Sequence, residues 1–170
     1  MTFFEEGGFP GARTRWLSAE VCINGHLTTG MLEYEPQRSA KHCQRCGAET
    51  IRTCPKCGVP IRGNYEGDGT VGYNHRSPWK HCHDCGAPFP WITGKLAAAK
   101  EYVAELDGLD ETEKTQLQGA IEDLATDGHR TELAASRFKR LMGKVGPAVG
   151  SGLYKIALDV ATEATKKLIM

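Results

Sequence analysis

The sequence predicts an α+β protein, with small N-terminal β ribbons built on metal ligands and a C-terminal four-helix region. Three observations predict it. All seven cysteines lie before residue 86, and six of them form C-x-x-C pairs. No cysteine or tryptophan follows Trp91, and Ala, Leu, Glu and Lys rise beyond Gly94. Past that point apolar residues recur every three or four positions, the period of an amphipathic helix. The expected division is an N-terminal extension or first strand over 1–20, tandem ribbons over 21–92 and a helical domain over 93–170.

The ribbons come first. Cys22 and His26 form one ligand pair in the run Val21-Cys22-Ile23-Asn24-Gly25-His26. Cys43/Cys46, Cys54/Cys57 and Cys82/Cys85 form three more. Two thiolates separated by two residues can grip one ion from a tight turn. Glycine follows the second cysteine each time, as Gly47, Gly58 and Gly86, where a turn needs positive φ. The last two knuckles share the longer phrase C-x-x-C-G-x-P-apolar, the mark of a zinc ribbon. Structural zinc takes four S/N ligands, so eight ligands make two zinc sites with none left over.

Disulfides are the main alternative, but they belong to oxidising compartments. The opening Met1-Thr2-Phe3-Phe4-Glu5-Glu6 does not read as a secretory signal, so a cytoplasmic location is expected. An odd cysteine count also leaves one thiol over. The eighth ligand is expected to be His26, with His42, His81 and His83 beside the knuckles as substitutes. Pairing stays open. Chain order and the shared phrase favour Cys22, His26, Cys43 and Cys46 on one ion and Cys54, Cys57, Cys82 and Cys85 on the other. The rivals join Cys43/Cys46 to Cys54/Cys57, or cross the pairs.

Four helices are expected next. Thr93 can cap a first helix carrying Leu96, Ala99, Val103 and Leu106. Asp110 with Glu113 resembles a capping box for a second, which carries Leu117, Ile121 and Leu124. Gly119 inside it is costly unless packing compensates. Thr131 can cap a third, with Ala134, Phe138, Leu141 and Val145 on one face. Gly143 to Gly152 then read as an inter-helix turn. They lack the lysine and hydroxyl of a phosphate loop. A last helix from about Ser151 to Leu168 shows Leu153, Ile156, Val160, Ala164 and Leu168. Lys155/Asp159 and Glu163/Lys167 form i,i+4 pairs outside.

Several phrases together resemble a known family. They are VCINGH from Val21, CQRCGAET from Cys43, CPKCGVPIRG from Cys54, CHDCGAPFPW from Cys82, and Arg137 to Gly150. They resemble an uncharacterised bacterial double zinc-ribbon family, a domain of unknown function, across about Val21 to Ile169. The resemblance supports metal ligation at the eight positions and implies no reaction.

Function is narrowed by exclusion. Charge is balanced at 21 basic and 21 acidic side chains, against the basic excess that drives nucleic-acid binding. No apolar run reaches the ~20 residues that span a membrane. Neither H-E-x-x-H, the deaminase pattern nor G-x-S-x-G occurs, and the ligand count fills both ions, so no enzyme is expected. The carboxylate pairs Glu5/Glu6 and Glu33/Glu35 read as solvent-facing. Tyr65, Tyr73, Trp79, Phe89 and Trp91, around Gly67 to Gly72, could stack bases but are read first as a small core. Arg130, Arg137, Arg140 and Lys144 fall along one helical side, read first as a solvated basic face. The leading expectation is a non-enzymatic adaptor that binds a protein partner. Nucleic-acid binding is the alternative. An effector acting through its last helix on a membrane or assembly is weaker, and a second copy could pair through that helix.

Overall fold

The structure is a computed structural model that describes residues 14–67, 70–72, 77–126 and 128–170, with the backbone alone for 147–149. Strands β1 (Arg15–Ser18), β2 (Glu20–Cys22), β3 (Leu27–Thr29), β4 (Thr50–Ile51), β5 (Arg62–Gly67) and β6 (Thr70–Gly72) come first. Helices α1 (Pro90–Ala104), α2 (Glu111–Thr126), α3 (Thr131–Val145), α4 (Pro147–Val160) and α5 (Glu163–Ile169) follow. The chain divides into two compact units, Met1–Trp91 and Ile92–Met170.

The first unit holds two small antiparallel sheets, ordered β1-β5-β6 and β3-β2-β4. One buried stretch serves both. Leu17, Ala19, Val21 and Cys22 are all at most 2% exposed. Ala19, between β1 and β2, donates its amide to the Ile61 carbonyl at 2.8 Å. The Asn64 amide donates to the Gly30 carbonyl at 2.7 Å. Glycine is required at this crossing, since a Cβ at Gly63 would stand 2.0 Å from the Gly30 oxygen. Phe89 and Trp91 are buried and stack at 4.6 Å, so a small aromatic core sits beside the last knuckle.

The second unit is a helical bundle around Val103, Leu117, Ile121, Leu124, Phe138, Leu141, Leu153 and Val160. The expected apolar faces of the first three helices point inward, and the ends of the helices differ. The first helix starts at Pro90 rather than Thr93, because proline suits the first helical turn. The Asp110 carboxylate caps α2 by accepting from the Glu113 amide at 2.8 Å, as the sequence suggests. Thr131 does not cap α3. It is the first helical residue, Arg130 precedes it as cap, and its buried hydroxyl oxygen finds no partner among the described residues.

Among the described residues five α-helices stand where four were expected. The glycine-rich turn shrinks to Gly146, at φ +81°, and α4 begins at Pro147 instead of Ser151. Gly150 and Gly152 lie inside α4. A Cβ on Gly152 would meet the Tyr102 hydroxyl at 3.0 Å, so the small residue admits that ring. The last helix breaks at Ala161, whose extended backbone ends α4, and Thr162 caps α5 by accepting from the Thr165 amide. The break shifts the buried face by one position. Thr165 and Ile169 turn inward while Leu168 is exposed and Ala164 faces out. Among the described residues, Asp159 pairs with Lys95 and Glu163 with Lys166.

Candidate metal centres

Each ligand pair sits in a turn that the backbone builds alike. In the three C-x-x-C knuckles the glycine amide donates back to the first cysteine's carbonyl at 2.8 to 3.0 Å. The first cysteine's amide in turn donates to the residue after that glycine, at 2.8 Å in every case. The glycines take φ of +73°, +78° and +69°, the left-handed region. The Cys22 turn follows the same plan. Gly25, at φ +86°, donates to the Cys22 carbonyl, and the Cys22 amide donates to the His26 carbonyl. Gly25 also has a packing reason, because a Cβ there would lie 2.9 Å from that of Trp91.

These turns converge in two groups. Cys22, His26, Cys43 and Cys46 make one, and Cys54, Cys57, Cys82 and Cys85 the other, with donor atoms within 4.8 Å of one another in each. The arrangement is the sequential one, and His42, His81 and His83 lie in neither group. In the first, the Cys22 and Cys46 sulfurs are 3.8 Å apart. His26 Nδ1 lies 3.5 Å from the Cys22 sulfur and 3.6 Å from that of Cys43. In the second, Cys54–Cys85 is 3.7 Å and Cys57–Cys82 is 3.6 Å.

These separations decide between two chemistries. A disulfide needs about 2.05 Å between sulfurs. A tetrahedral ion with metal–sulfur bonds of about 2.3 Å has sulfur–sulfur edges of about 3.8 Å. The thiols stand at the second spacing, and all seven are free. The donor sets therefore fit four-coordinate metal ions of the thiolate and imidazole class.

Electrostatics agree. Several thiols in one small volume cannot all ionise without a cation among them. The Ala48 amide and then the Asn24 side chain bring Cys46 down to about 6. The Cys85 and Asp84 amides help bring Cys82 down to about 7. Cys57 moves the other way. The Val59 amide favours its thiolate, but burial and the neighbouring thiols outweigh it and push it up to about 12. A divalent ion removes that conflict.

The chain from Arg15 to Ile169 matches the family DUF2321, described as an uncharacterized protein conserved in bacteria. The chain belongs to that family. In this DUF2321 chain, two groups of metal-ligating residues precede the helices. No curated protein and no solved structure matches it.

The remaining expectations fall out unevenly. Phe89 and Trp91 are core residues, while Tyr65 and Trp79 form an edge-on cluster with Trp16, and Arg62 lies 5.5 Å over the Trp16 ring. Trp16 carries no motif and was not anticipated. Tyr73, Glu5 and Glu6 lie outside the described residues. Glu33 and Glu35 are not merely solvated. Glu33 accepts from the Ser18 amide and hydroxyl, and Glu35 from Thr29 and Arg38. On the basic side of α3, Arg130 pairs with Asp123, Arg140 donates to Gln116, and Lys144 pairs with Glu113, all on α2. Asn24 was also missed. It donates to the Cys46 sulfur at 3.5 Å. No helix among the described residues is long and apolar enough to cross a membrane.

Proposed function

We propose that this chain is a non-enzymatic, cytoplasmic zinc protein that works as an adaptor for a protein partner. Zinc is favoured because S₄ and S₃N tetrahedra suit an ion with no geometric demand of its own. Each donor set supplies four ligands, which leaves no coordination position for a reacting water. The zinc ions then do structural work, since binding free energy at such sites is folding free energy.

The observation that carries the adaptor reading is a groove of about 490 Å3 between α3 and α4. Phe138, Met142 and Tyr154 line it, with Gly143, Gly146 and Gly150 leaving it wide. Apolar concavities of this kind take a partner's anchoring side chains. The nucleic-acid alternative has less behind it, because three of the four cations on the basic side of α3 are engaged by α2.

Elemental analysis of purified protein should find two zinc per chain with every thiol reduced. One ion or none would remove the zinc reading. Tagged chain drawn from its native host should retain a specific protein, and Met142→Glu should lose it with zinc content and helicity unchanged. Equal retention by the variant would remove the groove from the interface. A second copy as the retained species would make the chain its own partner.

A further inference from the structure

We propose that the segment received by the groove between α3 and α4 is an acidic amphipathic helix of the partner, an inference that rests on the adaptor reading and names what the groove takes. The floor is apolar and adaptable. Phe138 and Tyr154 have ring centroids 6.0 Å apart, and Met142 shares their wall. The unbranched thioether of a methionine reshapes to what it meets. Gly150 keeps space for it, since a Cβ there would lie 2.7 Å from the Met142 Cε. Along α3 the lining runs from Phe138 to the cap residue Gly146, about 12 Å at 1.5 Å per residue. That is about two helical turns, room for a helix with apolar anchors at i, i+3 or i+4, and i+7.

The charge around this floor has one sign. From Leu133 to Leu158 the chain carries Arg137, Lys139, Arg140, Lys144 and Lys155 and no acid. Helix α2 answers only one side of α3, where Glu113 pairs with Lys144 and the neutral Gln116 accepts from Arg140. Lys139 lines the groove, about 140° around α3 from Lys144. Among the described residues no acid lines the groove or pairs with Lys139. Lys155 follows the wall residue Tyr154 and lies one turn beyond Ser151 on the same face of α4. The acid one turn further on, Asp159, is held by Lys95 at 3.3 Å. Glu132 lies about 10 Å along α3 from Lys139, a Debye length at moderate salt. A helix with acids on its flanks therefore meets cations at the rim, and a basic helix meets repulsion.

The walls select a helix over an extended segment. Both are helices, whose amides and carbonyls bond along their own axes. An extended segment laid between them would find no strand edge and would leave its own backbone groups unpaired against apolar side chains. A helix pairs its backbone within itself and enters without that cost.

Fluorescence anisotropy on the full-length, metal-loaded chain tests this with two labelled synthetic peptides. Both carry leucine at i, i+3, i+4 and i+7; one has glutamate on its flanks and the other lysine. The glutamate peptide should bind, gain helical ellipticity as it does so, and weaken as salt rises. Lys139→Glu with Lys155→Glu, both at exposed positions, should weaken it at least about tenfold and should bind the lysine peptide instead. Met142→Glu should lose the glutamate peptide with metal content and helicity unchanged. Absence of glutamate-peptide binding, equal binding of the two peptides, binding without a gain of helix, or equal binding by the double charge variant overturns the proposal. Binding to phosphatidylglycerol vesicles and to neither peptide also overturns it, and assigns the groove to lipid. Retention of a host protein separates this inference from the adaptor reading. A protein lost by Met142→Glu but kept by the double charge variant leaves the adaptor standing and removes the acidic helix. A protein kept by Met142→Glu removes the groove, and the acidic helix with it.

Discussion

Glu20 is fully buried, and a carboxylate in that position needs partners. It has three: the Ser39 hydroxyl at 2.9 Å, the Ala40 amide at 2.8 Å and the Arg52 guanidinium at 2.7 Å. Nothing in the linear sequence marks it, because its partners are 19 to 32 residues away. The cysteines are legible for the opposite reason, since each knuckle writes its chemistry in five consecutive residues. Glu66 is a second carboxylate of the hidden kind. The Tyr34 hydroxyl, followed by Arg15, holds it below the usual 4.5. A carboxylate depressed in the folded state contributes stability above its unfolded value and loses it as pH falls through the folded one. The melting-temperature gap between wild type and Glu66→Gln should therefore be widest near neutral pH and close below about 4.5. A gap that persists in acid would mean that the contact does not depend on charge. Gly119 carries an expectation that the structure reverses. Packing was to offset its helix cost, yet a Cβ there meets nothing within 4 Å. Gly119→Ala should raise stability by about 1 kcal/mol in denaturant melts, and a loss would point to contacts outside the chain.

At the scale of elements, periodicity located the helices and misjudged their ends. Leu117, Ile121, Phe138 and Leu153 read as core and are core, because burial on one face imposes a spacing that survives in sequence. The ends depend on single backbone states that the pattern does not encode. Gly146 both ends α3 and precedes α4, so a segment that reads as a long loop is one residue. The stripe from Leu153 to Leu168 looks continuous, but Ala161 turns extended and the phase slips. That break is held by Thr162. Its hydroxyl accepts from the Thr165 amide at 3.2 Å and lies 2.6 Å from the hydroxyl of Thr165, which is fully buried. Thr162→Ala removes the cap and strands a buried hydroxyl, at a cost of about 1–2 kcal/mol. Thermal melts should show that loss, with hydrogen exchange rising first in α5. Unchanged exchange there would mean that the break does not rely on its cap.

At the scale of the whole molecule, the two units answer to different forces. The first has short strands, of two to six residues, and a core of a few side chains, so metal binding and folding are expected to be one event there. The second buries Val103, Leu124, Phe138 and Val160 completely and contains none of the eight ligands. The chain provides separate reporters. All three tryptophans, Trp16, Trp79 and Trp91, belong to the first unit, and nearly all helical residues to the second. A chelator should abolish the tryptophan near-ultraviolet signal and leave most helical ellipticity. Mild acid should act in the same direction, because protons compete for the thiolates as pH falls. Val160→Asp should do the reverse. Its carboxylate would enter a fully buried position without a partner, at a cost of several kcal/mol. Helical signal should then fall at lower temperature while two metal ions stay bound. If metal removal melts the helices, or Val160→Asp releases metal, the units unfold as one cooperative structure. If both stay separate, the helical unit can be produced alone, and the groove between α3 and α4 can be tested for its partner without the metal groups.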